Sequence, residues 1–408
     1  MNKLNRNALR SQRGAATLLI TVTILVLITL VSFYTSRSVL MEQRITNADA
    51  RSKEAFQAAE AGIRRAMAYL TEDMDRDDNG EVDPLVIGSD GENPGTSNVL
   101  PLESGATTTI TLFGPDDDLS GSPSVIPTDD DDFRVTIRSV GLAADGSATR
   151  TVWQTIAKID PLPNVPNNPL TTKGTAVIGG AAKVTNPEGH STIWAGGNVD
   201  LSQNNASETN IANPTNPDYP ACMDDVGGCK DSSGDPDVIQ SSTRDELGLD
   251  VVEYDSNLSS LSEVEFFRNF FGMSPKDYRK TMVTKDLLPA EAGTTDGMKS
   301  EVIWIEGDPS FGSNSVIGTE DKPVILIIDG EPSFSGTPVV NGIVVVLGDG
   351  DVSGNGNVLV NGAFIASSDS TDFTGSLEVM YNSSVLQKTR NSGPVAASSG
   401  GWRDFENN

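Results

Sequence analysis

The longest uninterrupted apolar stretch of the chain covers residues 15–36 and contains no charged side chain. A short leader, residues 1–14, precedes it and carries four basic side chains. As a helix the stretch would extend about 33 Å, which is enough to cross the hydrocarbon core of a bilayer. Because the positive charge lies only on the N-terminal side of the stretch, we predict a cytoplasmic leader and an exported C-terminal part.

The helical pattern continues beyond the apolar stretch. No Gly or Pro interrupts residues 15–61, and apolar side chains recur at helical spacing as far as Leu70. The pattern predicts one helix over residues 15–70, about 80 Å long, in which a transmembrane half is followed by an amphipathic half.

Residues 71–160 are predicted to form a β-rich head. Segments 107–113, 133–140 and 148–159 are rich in β-branched residues, and a Gly-containing turn joins the last two as a hairpin. A long helix followed by a small antiparallel sheet is an α+β fold, in which the sheet covers the amphipathic half of the helix.

Residues 170–390 have a different texture, because short apolar runs alternate with Gly, Asn, Asp and Ser. The triplet Val-Asn-Gly occurs at residues 340–342 and again at 360–362, and apolar β formers follow it both times. A repeat near twenty residues predicts a parallel β-solenoid, in which each turn of chain buries its inward face on its neighbours. An antiparallel sandwich is the alternative, since its strands and turns would give a similar pattern.

Three further segments border or interrupt this domain. Residues 161–169 contain four prolines and are predicted to form an extended linker. Residues 205–298 are predicted to be an insertion that contains helices. Residues 391–408 are rich in Ser and Gly and are predicted to form a flexible tail.

The insertion carries clear helix signals. Ser262 and Glu265 form a capping-box pattern for a helix that stops at Gly272, and Ser274-Pro275 begins a second helix. The first helix presents an apolar face made of Phe266, Phe267, Phe270 and Phe271. We predict that this face packs on the solenoid as a cover, and an exposed adhesive patch is the alternative.

Small residues at the start of the apolar stretch indicate how the leader would be removed. A secretory signal peptide carries its small residues at the far end of its apolar core, whereas Gly14-Ala15-Ala16 lie at the near end. Cleavage between Gly14 and Ala15 would remove the leader and keep the apolar helix, as in a type IV prepilin. An uncleaved single-pass signal anchor is the alternative.

Two motifs together resemble the PilX group of type IV pilus minor pilins. They are Gln12-Arg13-Gly14-Ala15-Ala16 at the cleavage point and the sequence AFQAAEAG at residues 55–62, so the resemblance covers about the first 70 residues. It implies that prepilin peptidase cuts after Gly14 and methylates Ala15. It also implies an inner-membrane helix with a periplasmic C-terminal part, which an assembly platform builds into the pilus fibre beside major and minor pilins.

One position departs from the pattern of major pilins. Those proteins carry Glu at the fifth mature position, where it can neutralise the α-amino group of the subunit ahead, and this chain has Leu19. A carboxylate in a bilayer is costly unless it is paired, and a subunit with nothing ahead of it offers no pair.

Leu19 therefore fits a subunit at the pilus tip, which would prime assembly and mediate adhesion to an unidentified surface or cell ligand. A position that simply tolerates Leu is the alternative explanation. The alternative function is a minor pseudopilin of type II secretion, the K-like tip subunit, which shares the missing Glu.

Charge and histidine content narrow the classes of function. The net charge is −28 and the sequence pI is about 4.2, so the chain should repel DNA, and no nucleic-acid partner is expected. His190 is the only histidine, which removes most Ser-His-Asp mechanisms. A membrane-tethered, polysaccharide-active enzyme is a third hypothesis. Its candidate carboxylates are more typical of turns, and we predict no enzymatic activity; they are Asp329, Glu331, Asp349 and Asp351.

The acidic segment after the helix matches part of a calcium-binding loop. Four residues with oxygen ligands fall at positions 1, 3, 5 and 9 of an EF-hand-type loop, namely Asp75, Asp77, Asn79 and Asp83. The Glu that usually completes such a loop at position 12 is missing. The pattern indicates a partial calcium site, and a solvated acidic turn is the alternative.

The two cysteines, Cys222 and Cys229, both lie in the exported part, where disulfides persist. A bridge across this short loop would contribute roughly 2–3 kcal/mol by loop entropy. A metal site is the alternative, although two thiols without a second pair or a nearby His are a poor zinc signature. We predict a disulfide.

Overall fold

The N-terminal pattern folds into one helix, α1 (Gln12–Glu72), which confirms the predicted long apolar helix. The computed structural model describes residues 12–72, 99–115, 117, 133–202, 207–213, 238–312, 314–348, 351–354, 356–373 and 376–404. The first half of α1 is exposed and the second half packs on a sheet. The change from a uniformly apolar to an amphipathic sequence therefore marks the point where the head begins.

The head is an antiparallel sheet that lies across the second half of α1. Its first four strands, β1 (Val99–Pro101), β2 (Thr107–Phe113), β3 (Arg134–Leu142) and β4 (Thr149–Lys158), pair in sequence order. Alternate residues of β3, such as Val135 and Ile137, are buried against the helix because successive side chains of a strand point to opposite faces. The predicted α+β arrangement of a long helix and a sheet-rich remainder is confirmed.

The proline-rich segment, residues 161–169, contains no helix or strand, as expected of an extended linker. It is nevertheless held firmly against the C-terminal domain. The Tyr278 hydroxyl donates to the Pro161 carbonyl at 2.9 Å, and the Tyr381 hydroxyl donates to the Pro166 carbonyl at 3.0 Å. Burial raises the pKa of both tyrosines, to about 12 for Tyr381, so both stay protonated donors.

The C-terminal domain begins with eight short strands. They are β5 (Leu170–Thr172), β6 (Thr175–Ile178), β7 (Lys183–Asn186), β8 (Ile193–Ala195), β9 (Val199–Asp200), β10 (Glu208–Ala212), β11 (Val238–Thr243) and β12 (Val251–Val252). β10 and β11 pair antiparallel, whereas β7–β10, β5–β8, β6–β9 and β8–β12 pair in parallel.

Three helices follow: α2 (Ser256–Ser259), α3 (Glu263–Phe271) and α4 (Pro275–Thr281). The capping box that the sequence predicts is present, because Ser262 Oγ accepts from the Glu265 N–H and the Glu265 carboxylate accepts from the Ser262 N–H. Gly272 ends α3 in the left-handed conformation, at φ 73°, which Gly adopts without strain. Ser274 caps α4, whose first residue is the predicted proline.

The four phenylalanines of α3 are buried, which agrees with the cover interpretation and makes the adhesive-patch alternative wrong. Phe267 stacks on Phe271 with ring centroids 4.3 Å apart and meets Trp304 edge-on at 6.5 Å. Ile325 and Ile343 belong to the same apolar cluster. The helix therefore covers one outer face of the strands described next.

The remaining strands of the domain are β13 (Lys285–Leu287), β14 (Val302–Glu306), β15 (Ser310–Phe311), β16 (Val316–Ile317), β17 (Val324–Asp329), β18 (Ser333–Phe334), β19 (Val339–Leu347), β20 (Ser353–Gly354), β21 (Asn357–Ala366), β22 (Ser370–Phe373) and β23 (Ser376–Met380). A 3-10 helix, Pro289–Thr295, lies between β13 and β14, and α5 (Ser383–Lys388) and a second 3-10 helix, Thr389–Ser392, follow β23. These strands pair in parallel, in the order β13-β14-β17-β19-β21-β23, with β15-β18-β20 as a second set.

The Val-Asn-Gly repeat corresponds to the register of this sheet. Asn341 lies opposite Asn361 in the β19–β21 pair, and their side-chain amides form a hydrogen bond of 3.0 Å. Asn382 extends this buried ladder by donating to Asn361 Oδ1 at 3.0 Å. Gly342 and Gly362 have φ values of 135° and 144°, and a Cβ at either would lie 1.9 Å from a carbonyl oxygen of the adjacent strand. Only Gly fits where the backbones approach this closely.

The two parts of the C-terminal domain meet in its middle. β21 pairs with β5, β22 with β6 and β23 with β7, all in parallel, so the strands nearest the C-terminus stack on those that open the domain. Aliphatic and aromatic side chains from both parts fill one continuous core, among them Leu170, Val184, Phe364 and Val379. Chain order and spatial order therefore differ within this sheet.

Asp250 joins three separate segments of the first part. It is 2% exposed, and its carboxylate accepts from four hydroxyl groups at 2.5–2.8 Å: those of Thr192, Thr209, Ser241 and Ser242. Burial alone would raise the pKa of Asp250, but these four hydrogen bonds outweigh it and the pKa is lowered. The charged form therefore holds the β10–β11 hairpin against β8.

The segment predicted to be a flexible tail instead forms a strand, β24 (Val395–Arg403). It pairs antiparallel with β4 and becomes the fifth strand of the head sheet. Trp402 also meets Phe56 of α1 edge-on, with ring centroids 6.4 Å apart. The prediction for residues 391–408 was wrong here because pairing with an existing edge supplies hydrogen bonds that a Ser/Gly-rich composition does not reveal.

Candidate functional site: the N-terminal helix

The exposed half of α1 is the largest apolar surface of the described protein. Residues 16–50 are all exposed, and Leu19, Phe33 and Tyr34 expose 69%, 71% and 77% of their surface. By length and composition the helical segment Ala16–Thr71 could cross a membrane. None of the residues in its most apolar part is buried within the protein. An apolar surface of this size on a folded protein marks a membrane or protein contact.

Threonine hydroxyls in this half bond to the helix's own backbone. The hydroxyls of Thr21, Thr23 and Thr29 donate to the carbonyls of Leu18, Leu19 and Val26 at 2.7–2.9 Å, and Thr35 makes the same kind of bond. Hydrocarbon offers no hydrogen-bond partners, so a spanning helix must satisfy its own polar groups. The threonines therefore do not prevent this half from entering a membrane or a helix-packed filament.

The packed half begins at the second of the two motifs. Its Ala55, Ala58, Ala59 and Gly62 recur at helical spacing and are buried against the sheet. A Cβ at Gly62 would lie 2.2 Å from Ser139 Oγ and 2.6 Å from Thr108 Oγ1. The motif thus supplies small residues that let the helix lie directly on β2 and β3.

The sheet has a matching small residue. A Cβ at Gly141 of β3 would lie 2.0 Å from the Ala55 carbonyl oxygen and 2.5 Å from the Ala59 nitrogen. Next to this contact, the Thr108 and Ser139 hydroxyls form a buried hydrogen bond of 2.8 Å beneath Gly62. Farther along, larger residues of α1, such as Ile63 and Leu70, fill the space against the sheet.

Ionic contacts fix the point where the helix leaves the head. Arg51 forms ion pairs of 2.9 Å with Glu54 and with Asp145 of the β3–β4 turn. Hydrogen bonds from Ser147 to Asp145, together with Arg51, lower the pKa of the Asp145 carboxyl. An open groove of about 400 Å³ lies at this junction between the helix and the turn.

Most of the predicted site residues are placed only in part or lie outside the described residues. The backbone of Gly14 and Ala15 forms part of the first turn of α1. The calcium candidates Asp75, Asp77, Asn79 and Asp83, and the cysteines Cys222 and Cys229, fall outside the described ranges. The processing, calcium and disulfide predictions therefore stay predictions. Within the described ranges, no group of three or more His, Cys, Asp or Glu side chains could hold a metal ion.

The described carboxylates of the enzyme hypothesis lie at the end of β17 and in the connections beside the following strands. Glu331 donates its backbone N–H to Asp308, and Asp372 donates its backbone N–H to Asp351, at 2.9 and 3.1 Å. Burial, and then the neighbouring Glu306, raise the pKa of Asp329 at the end of β17. Asp349 lies outside the described ranges. The two hydrogen bonds join segments that lie 23 and 21 residues apart in the sequence, so they hold neighbouring connections together and do not close a local turn.

Sequence reasoning missed Gly141 and the Thr108–Ser139 pair. A glycine at the end of a β-rich segment reads as a strand end, and nothing local shows that a helix 80 residues earlier lies on it. The one usable signal is the stripe of small residues at 55–62, which predicts a close partner for that face of the helix.

A comparison with known protein families matches the N-terminal helix. The family model described as PilX N-terminal matches residues 13–64. No curated protein sequence matches the chain. The solved structures that match include the competence-associated pilin ComZ from Thermus thermophilus, at 12% sequence identity, with 86% of this chain and 97% of that chain covered. Its TM-score is 0.22, which is too low to establish a shared fold.

The family match spans both motifs on which the resemblance rested, the cleavage point from Arg13 onward and the small-residue stripe that contacts the head. Over residues 13–64 the chain is therefore similar to the PilX family of type IV pilins, as its sequence predicted.

Proposed function

We propose that this protein is a minor pilin of a type IV pilus. The observation that carries the proposal is the division of α1 within the family-matched segment. Residues 16–36 are apolar and exposed along their whole length, and the second half of the helix is fixed to a folded head by close backbone contacts. A helix of this kind can leave a bilayer only by exchanging lipid for other apolar helices, which is what packing into a filament of pilins provides.

Processing follows from the position of the small residues. Prepilin peptidase cuts between Gly14 and Ala15 and methylates the new N-terminus. Before assembly the helix spans the inner membrane with the C-terminal part in the periplasm, which the charge asymmetry about residues 15–36 supports. The assembly platform then moves the subunit into the fibre, next to major and minor pilins, and so to the cell surface.

The subunit occupies the tip of the fibre and primes assembly. Leu19 supports this position, since the side chain at the fifth mature residue is apolar and has no charge to neutralise an amine ahead of it. A type II secretion pseudopilin is the alternative function that the same residue favours.

The C-terminal domain is a β-solenoid that presents the adhesive surface, without catalytic activity. The parallel register of β14, β17, β19, β21 and β23 supports a coiled chain, since each strand pairs with the equivalent strand of the next turn. A loop stapled by Cys222 and Cys229, and calcium at Asp75 to Asp83, complete the proposal. Thiol labelling with and without reductant tests the disulfide. A calcium titration, monitored by hydrogen exchange of the peptide that contains Asp75 to Asp83, tests the calcium site.

The experiment that tests the main proposal is mass spectrometry of the N-terminus from native membranes and from sheared fibres. We expect a species that starts at N-methyl-Ala15 in both fractions. A species that keeps residues 1–14 would overturn the proposal. The pseudopilin would be favoured by two results together. The processed species would be absent from fibres, and deletion of the type II secretion genes would abolish both this species and secretion.

A further inference from the structure

Basic residues on the exposed part of α1 form a stripe just outside the apolar segment. Arg37, Arg44 and Arg51 follow one another at intervals of seven residues. Residues seven apart on a helix lie within about 20° of each other around its axis. The three arginines therefore project from one side of α1, and Arg37 and Arg44 are exposed.

Acidic residues form a second stripe on the other side. Glu42 and Asp49 are also seven residues apart, and each lies two positions before an arginine of the first stripe. Residues two apart point in directions about 160° apart on a helix. This short segment of α1 thus carries positive charge on one side and negative charge on the opposite side.

The arginine stripe is only partly paired. Its last member, Arg51, meets Asp145 of the head at 2.9 Å. Arg37 and Arg44 take part in none of the ion pairs found among the described residues, and Glu42 likewise; Asp49 pairs with Lys53 on its own side at 2.7 Å. The head therefore satisfies the stripe where it covers the helix, and the next two arginines continue it beyond the head.

We propose that Arg37 and Arg44 bind two carboxylates, seven residues apart, on the corresponding segment of a neighbouring pilin helix. The inference rests on the proposed function, since it names the contact that the helix makes once it leaves the lipid. The partner is defined by its chemistry: an amphipathic helix segment just outside an apolar run, with an acidic stripe like that of Glu42 and Asp49.

The chain's own acidic stripe shows the geometry of such a contact. Displacing a parallel helix by five residues, about 7.5 Å along its axis, places Arg37 opposite a residue equivalent to Glu42 and Arg44 opposite one equivalent to Asp49. Both pairs form at the same displacement. Because the two stripes lie on opposite sides of each helix, the contact is head-to-tail: the arginine stripe of this subunit meets the acidic stripe of its neighbour, and its own acidic stripe stays outside the contact.

The test places a photo-cross-linking residue at Leu40 in the full-length protein, in cells that assemble their own fibres. Leu40 lies between the two arginines along that side of the helix and is 58% exposed. We expect an adduct with the N-terminal helix of another pilin, and mass spectrometry should place it within a few residues of two carboxylates. The double variant Arg37→Glu, Arg44→Glu should lower the adduct yield about fivefold, because two attractive pairs become repulsive.

Three comparisons make the result specific. Lys276→Glu with Lys280→Glu makes the same charge change on exposed basic residues of α4, away from the stripe, and should leave the yield unchanged. The neutral variant Arg37→Gln, Arg44→Gln should give an intermediate yield, which separates charge from loss of fold. Replacing the two mapped carboxylates of the partner with lysines should restore the adduct yield of the Arg37→Glu, Arg44→Glu variant, because the repulsive pairs become attractive again.

The outcomes separate the inference from the proposed function. If the protein is processed and present in sheared fibres, but the stripe variants cross-link as well as the native protein or the adduct lacks carboxylates nearby, the inference is wrong and the proposed function stands. If the protein keeps its leader and is absent from fibres, the proposed function fails first.

Discussion

Gly62 offers a direct test of the close contact between α1 and the head. On an isolated helix, Gly62→Ala would stabilise by about 1 kcal/mol, because Gly is the poorer helix former. Here the added methyl group would lie 2.2 Å from Ser139 Oγ and 2.6 Å from Thr108 Oγ1, so both side chains must move.

The two opposing effects can be compared. Overpacking a filled interface costs about 1–3 kcal/mol. Displacing Thr108 or Ser139 also breaks their buried hydrogen bond of 2.8 Å and leaves a hydroxyl unsatisfied, which costs about 1–3 kcal/mol more. We therefore expect Gly62→Ala to destabilise the head by about 3 kcal/mol after the gain in helix propensity.

The measurement is thermal unfolding of the full-length protein in detergent micelles, with hydrogen exchange of peptides from β2 and β3 to locate the change. Gly293→Ala is the matched control, because a Cβ there meets nothing within 4 Å and the same substitution should be neutral or slightly stabilising. A Gly62→Ala protein that is as stable as the control, with unchanged exchange in β2 and β3, would refute the close contact.

Three further predictions concern the remainder of the structure. Asp250→Asn should destabilise the C-terminal domain by about 3 kcal/mol at neutral pH, since four hydroxyls lose a charged acceptor. Because the native pKa of Asp250 lies below the ordinary value of 3.8, the wild-type advantage is complete above about pH 5 and disappears as the pH falls through the native pKa. Denaturant titrations at neutral pH and at about pH 3 check both parts of this expectation. Asn361→Ala should cost about 2 kcal/mol by leaving Asn341 and Asn382 with unpaired amide groups, whereas the exposed Asn357→Ala should be neutral in the same unfolding assay. Removal of residues 395–403 should expose the edge of β4 and cause aggregation, measured by light scattering, and a truncated protein that stays monomeric with a protected head would contradict the assignment of β24.

Features set by neighbouring residues could be predicted from the sequence. The capping box of Ser262 and Glu265 and the stop at Gly272 depend on a few consecutive residues, and the structure has them where the sequence placed them. The Val-Asn-Gly repeat predicted stacked parallel strands, although their register, which places Asn341 opposite Asn361, came only from the structure. The long helix followed from an uninterrupted pattern over many turns.

Features that join distant segments could not be predicted in this way. Asp250 binds hydroxyls that come from residues 192, 209 and 241–242, and a lone Asp in a turn gives no sign of them. A sequence repeat predicts that each strand stacks on the one before it in the chain. The pairing of β21 with β5 departs from that order. For the helix, the sequence predicted an amphipathic face but not that Gly141 receives it.

The positions of β21 to β24 have a consequence for how the protein is made. β24 completes the head sheet whose other strands were synthesised at least 235 residues earlier, and β21 to β23 complete the middle of the C-terminal domain. Pairing between segments this far apart in sequence folds slowly and late. If the chain is exported as proposed, the C-terminal sheet lacks strands until β23 has crossed the membrane, and the head sheet lacks its fifth strand until β24 has crossed. A five-stranded head therefore forms only in a chain that is present through β24, whereas a chain cut between β23 and β24 keeps its C-terminal sheet and lacks the last strand of the head.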